Sequence, residues 1–185
     1  MKLQTLRRIA LSALGALCVA NCSPPPPGHP ETGRLPAAAQ TAFVAWLDQI
    51  SEGSLACEPA EVESARAATA FIDDDAEPDF VIETRALHCR TRRGESAVAY
   101  FCGTTACAFP LLVSRRGDWQ VVQLMSGNHV RAIEHYRETR IQVREIDRGA
   151  PGGRMVLVRE YAWRDGALVR INEYSETAEA RRGGR

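Results

Sequence analysis

The sequence predicts an α+β fold: one N-terminal helix followed by a mostly antiparallel, disulfide-stapled β-meander. Three observations lead there. Residues 36–53 carry apolar side chains at helical spacing. From about residue 66 onward, short runs of strand-forming residues alternate with polar turns. Four cysteines are distributed through the chain beyond Cys22, an even number that predicts two disulfides in an exported protein.

The leader is the clearest segment. Lys2, Arg7 and Arg8 precede an apolar run over residues 9–20, about half the length a membrane span needs. That combination reads as a secretory signal over residues 1–21. Its end, Val19-Ala20-Asn21-Cys22, resembles the lipobox of bacterial lipoproteins. The resemblance implies that Cys22 becomes the lipidated first residue and the membrane partner. The absence of Asp at Ser23 implies sorting to the outer membrane, with the domain facing the periplasm. Ordinary cleavage after Ala20 is the rival reading; it leaves Cys22 as an odd thiol and the protein soluble in the periplasm. Residues 22–34 form a tether stiffened by Pro24 to Pro27. Residues 35–174 form a single globular domain, and residues 175–185 a disordered tail.

The 185 residues, 45% hydrophobic and 25% charged, suffice for one sizeable core. Removal of residues 1–21 takes away Lys2, Arg7 and Arg8, leaving 20 basic against 23 acidic side chains. A protein built around nucleic-acid phosphates is thereby excluded.

In order, Pro36 suits a first helical turn. Phe43, Trp46, Leu47 and Ile50 make one apolar stripe, and Gly53 stops the helix. Pro59 can open a short helix. Strands are predicted over 66–72, 80–87, 98–102, 107–113, 119–125, 129–135, 140–146, 155–163 and 167–174. The reversals fall at the acidic run 73–79, the Gly103 loop, Gly117, Ser126-Gly127-Asn128, the 148–153 loop and Asp165-Gly166. The stretch 97–124, with its two closely spaced cysteines, is the expected centre of the meander.

Cys57, Cys89, Cys102 and Cys107 allow three connectivities. The short turn-like Gly-Thr-Thr-Ala segment favours Cys102 with Cys107, and Cys57 with Cys89 then follows. Metal binding by these cysteines lacks the usual ligand spacing, and no cofactor is expected.

The acidic run holds the one metal candidate. Asp73, Asp75 and Glu77 alternate as in a calcium loop, and Asp79 follows. Residues 71–82 resemble the strand, acidic turn and strand of FG-GAP-like repeats, which implies a weak calcium site at these four carboxylates. The loop lacks the glycine of such sites, so a solvated acidic turn is the alternative. Pro78-Asp79-Phe80-Val81, Cys89, Phe101-Cys102-Gly103, Cys107, Gly117-Asp118-Trp119 and the Trp163 to Gly166 hairpin together resemble a group of uncharacterised exported bacterial β-proteins. That resemblance implies export, a Cys102–Cys107 bridge and a β fold, and no activity.

His129 and His135 have no carboxylate or serine pattern around them, so no catalytic residues are assigned. Arg131, Arg137, Arg140, Arg144, Arg154, Arg159, Arg164 and Arg170 are interleaved with Glu134, Glu138, Glu145, Glu160 and Glu173, a pattern of cross-strand ion pairs. The expectation is a non-catalytic cell-envelope lipoprotein that binds an envelope protein or polymer. An inhibitor or exclusion factor, for example of a cell-wall hydrolase, is the alternative, and a periplasmic enzyme the third choice.

Overall fold

The computed structural model describes residues 34–73, 75–147 and 155–177. The predicted signal, Cys22, the tether up to residue 33, the 148–153 loop and the last residues of the tail lie outside the described residues, as does Asp74.

Helix α1 (Ala37–Ile50) starts directly after Pro36 and buries Ala39, Gln40, Phe43 and Leu47. Trp46 and Ile50 are only partly covered, so the buried stripe is rotated slightly from the predicted one. Gln40 tolerates burial because its Nε2 donates to the Leu35 carbonyl at 2.7 Å. The chain continues through β1 (Leu55–Ala56) and the one-turn helix α2 (Pro59–Val62). Pro59 opens α2 as predicted, and Glu61 closes a capping box by accepting from the Glu58 N–H at 2.9 Å.

The remaining elements are β2 (Arg66–Ala70), β3 (Asp79–Ile82), a 3-10 turn (Thr84–Ala86), β4 (Arg90–Thr91), α3 (Val98–Phe101), β5 (Cys107–Arg115), β6 (Asp118–Gly127), β7 (His129–His135), β8 (Glu138–Asp147), β9 (Met155–Arg164) and β10 (Ala167–Thr177). Among the described residues the strands form two four-stranded antiparallel sheets, ordered β2-β3-β5-β6 and β7-β8-β9-β10, and a β1-β4 ribbon.

The first sheet is the middle layer. Phe80, Ile82 and Leu112 pack with Phe43 and Leu47 of α1 on one face. Val81, Phe109, Leu111 and Val113 pack with Ile141 and Val143 of the second sheet on the other. This two-sided burial explains why β3 and β5 read as continuous apolar runs, whereas the strands of the second sheet alternate.

The two sheets join at a corner. A Cβ on Gly127 would meet Val143 and lie 2.9 Å from the Arg144 carbonyl oxygen, so only glycine lets β6 pass this close to β8. Asn128 then holds the corner. Its N–H donates to Arg144 O at 2.7 Å, its Oδ1 accepts from the Ile146 N–H at 2.6 Å, and its Nδ2 donates to Thr105 O.

Three expectations need correction. Residues 98–102 are not a strand: Val98–Phe101 is a helical turn. Ala97 and Phe101 are buried while Ala99 and Tyr100 are exposed, and Phe101 stacks toward Trp46 at 6.3 Å. Strand β3 stops at Ile82, well short of residue 87. Glu83 accepts from the Arg85 backbone N–H and binds its guanidinium at 2.6–2.7 Å, turning the chain. The tail is ordered further than expected: Ser175, Glu176 and Thr177 pair with Leu157, Val156 and Met155.

The domain contains both predicted disulfides, Cys57–Cys89 and Cys102–Cys107. The second ties the end of α3 to the start of β5 through a single bridge between its own two residues. It therefore staples a helix to the middle sheet, and is not the tip of a hairpin. The true meander is β7 to β10.

Candidate functional site: a cleft at the hairpin end

Four chain reversals meet at one end of the two sheets. They are the acidic turn after β2, the β5–β6 tip at Arg116-Gly117, the β7–β8 tip at Tyr136-Arg137 and the β9–β10 tip at Asp165-Gly166. Arg115 connects three of them. Its Nε lies 3.6 Å from Asp73 Oδ2, its Nη2 donates to Gly166 O at 3.3 Å, and its guanidinium sits 5.0 Å from the centroid of the Trp163 ring.

Two of these tips have the residues a tight hairpin favours. Arg116 and Asp165, at φ 54° and 50°, are each followed by a glycine at φ 84° and 82°. The third does not. Tyr136 at φ 49° and Arg137 at φ 73° both occupy the left-handed region without a glycine, and Tyr136 is 92% exposed. Its ring packs edge-on with that of His135, the centroids 4.5 Å apart.

Between the acidic turn, the β7–β8 hairpin and the end of β9 lies an open cleft of about 390 Å³. Phe71, Asp73 and Asp75 line one wall, Arg137 and Glu138 a second, and Trp163 and Arg164 a third. Phe71 is 55% exposed although large and apolar. Asp73 is buried, and its Oδ1 has no hydrogen-bond partner. Burial, then the charge of Asp75, raises its pKa. Glu138 is held on the other side: hydrogen bonds from Arg164 and Arg140 lower its pKa. A smaller cavity of about 290 Å³ lies beside Cys57 and Arg92.

Asp79 stands apart from the cleft. It lies in β3, fully buried, with Oδ2 accepting from the Ile72 N–H at 2.8 Å and Oδ1 from the Ser114 N–H at 3.0 Å. It therefore pins the end of the acidic turn to β5. Burial pushes its pKa up to about 6 against those two donors.

This geometry separates the four calcium candidates. Asp79 serves the backbone, Asp73 pairs with Arg115, and Asp75 Oδ1 caps the Glu77 N–H at 2.9 Å. Among the described residues no group of three or more His, Cys, Asp or Glu side chains is arranged to hold a metal ion. His129 and His135 are exposed and belong to no cluster with the cleft's carboxylates.

The charges of the second sheet are paired as its alternation predicts. Arg159 bridges Glu145 at 2.7 Å and Glu173 at 3.0 Å, Arg140 bridges Glu138 at 2.9 Å and Glu160 at 3.6 Å, and Arg144 reaches Glu176. Sequence reasoning did not find Phe71, Arg115, Arg137 and Trp163 as neighbours. The available signal was Tyr136-Arg137, a reversal between two strands without Gly, Asn or Asp.

No protein-family model, curated protein or solved structure matches this chain.

Proposed function

We propose that this protein is a non-catalytic cell-envelope lipoprotein, anchored through Cys22, whose domain acts by binding. The observation that carries the reading is the pairing of all four domain cysteines behind a leader that ends at Cys22. Two disulfides suit an oxidising compartment, outside the cytosol. No described helix is long and apolar enough to cross a membrane, so in this reading attachment depends on the lipid. The resemblance to a group of uncharacterised exported bacterial β-proteins adds export and a β scaffold to the reading.

A binding role fits the cleft better than acid–base chemistry. Glu138 is engaged by two arginines and Asp73 by Arg115. What remains open to solvent is aromatic and guanidinium surface, the composition that dominates recognition sites. The test is metabolic labelling with palmitate and fractionation of Cys22→Ser. Incorporated label, lost together with membrane attachment in the variant, supports the anchor. An unlabelled wild type that fractionates like the variant overturns it.

A further inference from the structure

We propose that the cleft at the hairpin end is a binding site for a neutral, polyhydroxylated glycan. The charged groups lining the cleft are largely tied in pairs: Glu138 with Arg140 and Arg164, and Asp73 with Arg115. An ion of either sign would therefore have to break existing pairs to gain new ones. A ligand rich in hydroxyl groups, each both donor and acceptor, matches such a lining. Asp73 stands in the cleft wall with a buried Oδ1 that has no hydrogen-bond partner. Arg137 makes no ion pair among the described residues and supplies donors.

The second ingredient is aromatic. The C–H faces of a sugar ring stack on exposed aromatic rings, burying apolar surface without giving up the hydroxyl groups at the ring edge. Arg115 covers part of Trp163, which leaves Phe71 as the open ring of the cleft and Tyr136 beside Arg137 at the hairpin tip. The backbone singles out Tyr136. A hairpin tip in the left-handed region is relaxed by Asn or Gly, yet here it holds a tyrosine whose ring is almost wholly in solvent. Packing within the domain does not explain that side chain, and contact with a ligand does.

This deepens the binding role proposed above and rests on it only for where the ligand is met. The experiment is calorimetric titration of the full oxidised chain in mild detergent with a soluble oligomer of N-acetylglucosamine. Spermidine and sulfated dextran serve as cationic and anionic comparisons. The expected result is saturable binding of the neutral oligomer alone. Phe71→Ala should weaken it roughly tenfold, the loss of one stacking face. Tyr136→Asn is the sharper variant. It relieves the left-handed strain, so it should raise the thermal midpoint while weakening glycan binding. Overturning results are no heat with the glycan at millimolar concentration, preference for spermidine or sulfated dextran, or unchanged affinity in both variants. A silent titration leaves the Cys22 anchor intact, and a failed palmitate label leaves the titration unaffected.

Discussion

Asp79 makes the stability of this domain depend on pH, and the sign is worked from its environment. In the unfolded chain its carboxyl has the ordinary value of 3.8; in the fold burial raises it to about 6. Between those values the folded state holds the proton more tightly, so unfolding releases it. Stability is then fully present below about pH 4 and falls as pH rises through about 6. The difference corresponds to at most ~3 kcal/mol. Asp79→Asn isolates the effect, because the amide does not titrate. Its oxygen can accept from either Ile72 or Ser114, while its NH2 faces the other N–H. One buried donor left unsatisfied destabilises the variant by ~1–3 kcal/mol. Urea unfolding of both proteins at about pH 4 and about pH 7.5 should show a gap that narrows by up to ~3 kcal/mol at the higher pH. A gap that stays constant or widens would mean that the two N–H donors outweigh burial and keep the carboxylate charged. The reasoning would then be wrong.

Three further perturbations test the scaffold. Gly127→Ala forces a methyl group against Val143 and the Arg144 backbone; overpacking of this kind destabilises by ~1–3 kcal/mol, read as a lower urea midpoint. Asn128→Ala removes the acceptor for the Ile146 N–H and the link to Thr105; a loss of ~1–3 kcal/mol is expected, with faster amide exchange at Ile146. The disulfides should differ in weight. Replacing Cys57 and Cys89, 32 residues apart, should cost roughly 4 kcal/mol, and replacing Cys102 and Cys107, 5 apart, roughly 2 kcal/mol, measured by thermal unfolding.

The sequence disclosed those parts of the fold that depend on short-range pattern. Helix α1, the hairpin tips at Gly117 and Asp165-Gly166, and the alternation of the second sheet are all written in spacing or turn chemistry. What stayed hidden depended on distant partners. Residues 98–101 contain Val, Tyr and Phe and read as strand. Tertiary packing overrides that preference, since Phe101 must reach Trp46 while Tyr100 Oη donates to the Ile50 carbonyl at 3.0 Å. Asp79 read as the last member of an acidic turn because its donors, Ile72 and Ser114, are 7 and 35 residues away. The cleft was hidden for the same reason. Its walls come from residues 71–73, Asp75, 137–139 and 163–164, and only the sandwich brings them together.

The layering also decides where a partner can dock. The central strands β3 and β5 of the middle sheet are covered on both faces, by α1 on one side and the second sheet on the other. Along β8 and β9, arginines and glutamates are tied in pairs across strands, so a charged partner would have to break ion pairs to gain new ones. The hairpin end differs in what it leaves exposed. It carries the exposed rings of Phe71 and Tyr136 with Arg137 beside them, and two non-glycine left-handed residues stand there side by side. Strain and exposed aromatic surface coincide at that end. If that coincidence were only a folding accident, Tyr136→Asn would improve the protein and change nothing else.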